Sequence, residues 1–164
     1  MTVAPTGGMA KKSQSEHLPT QPSEIAESVY KSYKAGASVA ALHARRPDDQ
    51  ATCEGAVYRD INDRIRAKCD IILNNSTGGG VDGDILIRRE DGIYEASLDE
   101  RLKGLDGGAK MATFDGFVTA GLFEGAEQLL LTTPRQCNML AERFVERGIS
   151  RNGRYSITRT SFRT

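Results

Sequence analysis

Histidine, cysteine, net charge and long apolar runs are all scarce in this chain. Only two histidines occur among 164 residues, His17 and His43. Nothing in the sequence links either one to a nucleophile, so a Ser-His-Asp or Cys-His enzyme gains no support. Three cysteines, Cys53, Cys69 and Cys137, are odd in number and widely spaced. They read as reduced thiols of a cytoplasmic protein rather than as a disulfide framework. With no Cys-x-x-Cys or His-x-x-x-His pair, no zinc site of familiar spacing, and no other cofactor, is expected.

Charge is balanced, with 22 lysines and arginines against 22 aspartates and glutamates. A protein that coats nucleic acid or membrane by bulk charge would not show that balance. No apolar run approaches the ~18 residues of a membrane span. The start, Met1-Thr2-Val3-Ala4-Pro5, lacks a basic flank before an apolar stretch and is not expected to be a secretory signal. Apolar residues amount to 38%, which predicts one ordinary domain with a modest core and some chain outside it.

Residues 1–22 hold three of the five prolines and no apolar period, so they are expected as an extended, flexible N-terminal arm. Residues 23–164 then form a single α+β domain, mainly helical. A first helix is predicted over 23–35, where Ile25, Val29 and Tyr33 recur every four residues and Gly36 supplies a stop. A short alanine-rich helix is predicted over 38–45, ending before Pro47. The longest helix is expected from Pro47 to Asn74, carrying the stripe Val57, Ile61, Ile65, Cys69 and Ile72 over ~40 Å.

Asp91-Gly92 between Ile85–Arg89 and Ile93–Ser97 predicts a hairpin, and Ser97 with Glu100 predicts a capped short helix. Residues 109–131 read as a helix weakened by Gly116, Gly121 and Gly125. Thr133, Pro134 and Gln136 open a further helix that Gly148 closes, with Cys137, Leu140, Ala141, Phe144 and Val145 facing a core. After Asn152-Gly153 a strand alternates through Arg159. The expected architecture is therefore one long central helix and a small antiparallel sheet made of the hairpin and the C-terminal strand.

Candidate chemistry is thin. Asp82-Gly83-Asp84 lacks the further acidic ligands of a calcium loop and reads as a turn. Ser76-Thr77-Gly78-Gly79-Gly80 could offer N–H groups to a phosphate. It is predicted to follow a helix and precede a strand, the reverse of a phosphate loop, so it reads as a flexible connector. Cys53 lies near a predicted helix start, where a thiolate is favoured. Arg151, Arg154 and Arg159 interleave with Tyr155 and Phe162, a pattern that can grip a nucleic-acid backbone and stack on bases.

The first functional expectation is a non-enzymatic structural or linker subunit of a larger assembly. Its docking surfaces would be the arm, through Lys11 and Lys12, and the C-terminal strand, through Arg151, Arg154, Tyr155, Arg159 and Phe162. Its partners would be other protein subunits, copies of itself or different chains. A small nucleic-acid-binding or regulatory protein using the same arginines ranks second. An enzyme with an acid/base pair among Asp82, Asp84 and Asp115 ranks third, on residue type alone.

Overall fold

Short strands alternate with helices along most of the chain. The computed structural model describes residues 1–80, 82–116 and 118–155. It runs β1 (Thr2–Val3), α1 (Pro22–Lys34), β2 (Val39–Leu42), β3 (Ala44–Arg45), β4 (Ala51–Thr52), α2 (Gly55–Arg66) and β5 (Ile72–Asn75). Then follow β6 (Leu86–Arg88), β7 (Tyr94–Ala96), α3 (Leu98–Leu102), β8 (Met111–Gly116), β9 (Thr119–Phe123), β10 (Ala126–Leu130), α4 (Pro134–Glu146) and β11 (Ser150–Tyr155). Short 3-10 turns occupy Gly83–Ile85 and Lys103–Gly107.

Five strands form one sheet in the order β1-β2-β5-β8-β11, and every neighbouring pair is parallel. Spatial order therefore follows chain order, without the reversal of a doubly wound sheet. Right-handed crossovers in such a sheet put the connecting helices on one face, as in a (β/α) barrel. On that face α1 packs against α2, and α2 against the Lys103–Gly107 turn. Ile25, Val29, Leu42, Tyr58, Ile61, Ile65 and Leu73 make one buried cluster. Phe114, Leu140, Phe144 and Ile149 belong to a second, in which the two phenyl rings meet edge to face at 5.7 Å. Each such buried side chain contributes about 1.5–3 kcal/mol.

The expectation of a mainly helical α+β domain with one long helix is corrected by this sheet. Residues 38–45 form β2 and β3 instead of a helix. Ala40 and Leu42 turn inward to the helices while Val39 and Ala41 take the opposite face. The expected helix over 47–74 is β4, α2 and β5. Asp49 takes a left-handed φ of 64°, so Asp48-Asp49 do not open a helix. The apolar stripe is real through Ile65, but Ile71-Ile72-Leu73 is a short continuous apolar run of the kind a buried parallel strand presents.

Residues 109–131 are β8, β9 and β10 rather than an interrupted helix. Glu124 and Gly125, with φ of 51° and 82°, make the two-residue turn that pairs Phe123 with Ala126. The hairpin around Asp91-Gly92 forms, pairing Ile87 with Glu95. It does not share a sheet with the C-terminal strand. β6 and β7 join β10 and β9 in a separate four-stranded sheet, while β11 runs parallel to β8. This second sheet is built from the segments that follow β5 and β8.

Residues 1–22 place β1 beside β2, with Thr2 opposite Val39. The following segment is held by Thr6, whose hydroxyl donates to the Pro19 carbonyl at 2.7 Å. Among the described residues, no helix is long and apolar enough to cross a membrane.

Candidate active site

Parallel barrels carry their chemistry at the carboxyl ends of the strands. At that end of β5 the chain enters Ser76-Thr77-Gly78-Gly79-Gly80. Ser76 extends the pairing with β2, its N–H donating to the Leu42 carbonyl at 2.9 Å. Thr77 locks onto β8. Its N–H donates to Thr113 Oγ1 at 2.8 Å, and its hydroxyl donates to the Thr113 carbonyl at 2.9 Å. The Gly78 N–H donates back to Ser76 Oγ at 3.1 Å.

Arg101, from α3, lies fully buried beneath this turn. Its Nε donates to the Thr77 carbonyl at 2.8 Å, Nη1 to Thr132 Oγ1 at 3.1 Å and Nη2 to the Asp115 carbonyl at 3.3 Å. Thr132 in turn donates to the Asp115 carbonyl at 2.8 Å. One guanidinium thus fixes the glycine turn against the end of β8, using the rigid fork that lysine lacks.

The glycines are required by close approach. A Cβ on Gly78 would sit 2.9 Å from Asp115 Oδ2 and 3.6 Å from Ser76 Oγ. A Cβ on Gly80 would sit 2.6 Å from the Gly8 carbonyl oxygen, on the segment after β1. The run is packed, which corrects its reading as a flexible connector. Ser76 and the Asp115 carboxylate therefore flank one point at the mouth of the sheet.

His43 follows β2 and packs against Gly8: a Cβ there would lie 3.4 Å from Nε2. Burial, with the nearby Arg45 charge, holds its pKa down to about 4, so the ring is neutral at pH 7. Its Nδ1 is buried with no hydrogen-bond partner among the described residues. Tyr58 supports the floor from α2, its hydroxyl lying 3.1 Å from the Ser76 carbonyl and 3.3 Å from that of Leu42. Cys53 is buried beside the run, and burial pushes its thiol up to about 12. That overturns the expectation of a favoured thiolate.

Of the three aspartates considered as acid/base candidates, only Asp115 reaches this point. Asp82 Oδ1 accepts from the Ala51 N–H at 2.9 Å, and Asp84 Oδ2 accepts from the Thr52 hydroxyl at 2.8 Å. Both carboxylates tie the turn to β4. Among the described residues, no three His, Cys, Asp or Glu side chains form a group able to hold a metal ion.

The residues expected to bind partners are spread over the N-terminal arm, β11 and positions outside the described residues. Lys11 pairs with Glu124 at 2.8 Å and Asp82 at 3.2 Å, and Lys12 with Glu24 at 2.6 Å. Arg151 is exposed on β11, opposite Ala112. The backbones of Arg154 and Tyr155 pair with Asp115 and Gly116; Arg159 and Phe162 lie outside the described residues. In the sequence, Ser76 and Thr77 stand out only as part of a phosphate-binding run that the predicted element order sets aside, and nothing there singles out Arg101 or Thr113. Reading Ile71–Asn75 as a strand would have placed the glycine run at a strand's carboxyl end.

Residues 1–153 match the sequence model of a family described as beta-keto acid cleavage enzyme. The chain is 41% identical over 80 residues to a 3,5-dioxohexanoate:acetyl-CoA acetone transferase of Paraburkholderia graminis, covering 48% of this chain and 26% of that protein. It is 42% identical over 108 residues to a 3-dehydrocarnitine:acetyl-CoA trimethylamine transferase of Rhizobium meliloti, covering 65% and 34% respectively. A 3-keto-5-aminohexanoate cleavage enzyme of Fusobacterium nucleatum subsp. nucleatum is 30% identical over 151 residues, covering 91% and 49%. The chain thus spans a quarter to a half of the length of these relatives.

ObcA in complex with oxaloacetate superposes with a TM-score of 0.61 at 21% identity, over 84% of this chain and 31% of that one. That likeness concerns the fold. These matches overturn the expectation of a non-enzymatic structural subunit, since the matched family and its named members are enzymes.

Proposed function

Because the chain belongs to the beta-keto acid cleavage enzyme family, we propose that the carboxyl ends of β2, β5 and β8 bind a β-keto acid for cleavage between its second and third carbons. Acetyl-CoA as co-substrate is the reading supported by the names of two relatives. The observation that carries the site is the convergence of Ser76 Oγ and Asp115 Oδ2 on Gly78.

The chemistry follows from the substrate. The carbon between a ketone and a carboxylate is acidified by both, and an ionised carboxylate beside it can take the proton. Asp115 has that role. The C2 carbanion bonds to the acetyl carbonyl carbon of acetyl-CoA as the CoA thiolate leaves, and that thiolate adds to the C3 ketone. The C2–C3 bond then breaks with its electron pair on C2, which takes the proton back, giving acetoacetate and the CoA thioester of the far end. The Ser76 hydroxyl and the neutral His43 ring are the hydrogen-bonding groups for the substrate's oxygens, and Arg101 positions the turn without facing the substrate. The named relatives differ in the far substituent: a second keto group, a trimethylamine group or an amino group. A cytoplasmic setting fits the three free thiols.

The test follows the loss of the C2 protons of acetoacetate in deuterated buffer by NMR. Wild type should exchange them faster than buffer alone, and Asp115→Asn should lower that excess about 100-fold, the scale of general-base catalysis. An Asp115→Asn variant as fast as wild type would refute the assignment, as would no exchange above buffer.

A further inference from the structure

The glycine turn has a second side. Between it and the four-stranded sheet lies a cavity of about 150 Å³, lined by Gly78, Leu86, Ala96, Phe123, Leu129 and Leu130, with Thr119 and Gln128 as its polar side chains. Gly78 is thus shared between this cavity and the point where Ser76 and Asp115 meet. Among the described residues, no charged side chain lines it. A cavity of about this volume lined by Leu, Ile and Phe stays dry and accepts benzene, a group of about six carbons.

Resting on the reading of the site given above, we propose that this cavity receives the far end of the β-keto acid. It selects a neutral apolar substituent of up to about six carbons, with Phe123 and Leu129 setting the preference. Both residues come from the β9–β10 hairpin, half-buried on a sheet that is separate from the one carrying Ser76 and Asp115. The size and polarity of the accepted group can therefore be set without moving the reacting groups. An ammonium placed there would lose its hydration with no carboxylate in the lining to replace it.

Binding of three probes that share the β-keto acid head decides the matter: acetoacetate, 3-oxohexanoate and 5-amino-3-oxohexanoate, each titrated calorimetrically into the full chain. Two further buried methylenes should make 3-oxohexanoate bind about tenfold more tightly than acetoacetate, and the amine should bind more weakly than either. Leu129→Asp should reverse the order of the neutral and amine probes. Phe123→Ala, a milder change that enlarges the cavity, should make 3-oxoundecanoate, whose far end is eight carbons, bind more tightly than it does to wild type, and serves if the aspartate variant does not fold. Equal affinities for the three probes in wild type, or preference for the amine, overturn this inference while leaving the β-keto acid site standing. No binding of any probe overturns both.

Discussion

Acidification below pH 6.5 should weaken this protein through His43. The imidazole is held from its ordinary 6.5 down to about 4, first by burial and second by the Arg45 charge. In the unfolded chain the ring takes a proton near pH 6.5; in the folded protein it does not until about pH 4. Between those values the unfolded state holds the extra proton, so the stability present above pH 6.5 declines as pH falls and is lost through pH 4. At ~1.4 kcal/mol per pH unit, the full effect is about 3.4 kcal/mol, of which about 2.5 should be gone by pH 4.5. Such a loss is a large part of the ~5–15 kcal/mol that holds an ordinary domain together.

Urea unfolding at pH 7.5 and 4.5, for wild type and His43→Gln, measures the effect. Wild type should lose about 2.5 kcal/mol more than the variant, with the denaturant slope unchanged. Glu24 does not confuse the comparison. Its pKa is drawn down to about 2 by Lys12 and by the Thr20 and Gln21 N–H groups, so its contribution is present above its ordinary value and fades below it, in both proteins alike. Equal losses in the two proteins, or an NMR titration of the His43 ring near 6.5, would refute the argument that burial keeps it neutral.

Arg101→Met should cost on the order of 3–5 kcal/mol, because it removes a buried charge and strips the Thr77 carbonyl, the Asp115 carbonyl and the Thr132 hydroxyl of a donor. Urea unfolding reads that loss, and Arg101→Lys should recover little of it, since an ammonium cannot reproduce the fork. Full recovery by lysine would show that charge alone matters there. Gly83→Ala should destabilise by about 2 kcal/mol or more: its φ is +81°, and the new Cβ would lie 1.9 Å from the Ala51 carbonyl oxygen. Gly125→Ala, at φ +82° but in open space, isolates the backbone term at about 1 kcal/mol; equal costs at the two glycines would disprove the role of the clash.

The helices that announced themselves in the sequence are those with signals written locally at their ends. α4 has its capping box, Thr133 Oγ1 accepting from the Gln136 N–H at 3.3 Å while Gln136 Oε1 accepts from the Thr133 N–H at 2.8 Å. α1 has its four-residue period and Gly36 at φ +98°. Parallel strands carry no such marks. Those in this sheet are two to six residues long, and a strand covered on both faces loses the alternation that identifies it. In β2 the alanines Ala40 and Ala41 favour a helix by intrinsic propensity. Their small side chains let strand pairing with β5 prevail, and propensity differences of a few tenths of a kcal/mol do not oppose it.

The site failed to show for the same reason, and its composition holds a signal that element assignment concealed. Immediately after Ile71-Ile72-Leu73 come Asn74, Asn75, Ser76 and Thr77, four polar side chains with relative exposures of 1, 1, 3 and 0%. A sequence optimised for stability alone would not bury four polar residues in a row, because each costs free energy unless fully hydrogen-bonded. Some of that cost is offset: Asn75 Nδ2 donates to the Gly104 carbonyl at 3.1 Å, and Thr77 is satisfied by Thr113. Asn74 Oδ1, Asn75 Oδ1 and His43 Nδ1 remain buried without partners among the described residues. Local rules are broken where a fold serves chemistry as well as stability. Here the breach runs from Asn74 to Gly80, beginning in β5 between Ala41 and Met111 and ending against Gly8. A polar run followed by glycines, directly after three aliphatic residues, is thus a better pointer to a barrel's working end than either histidine taken alone.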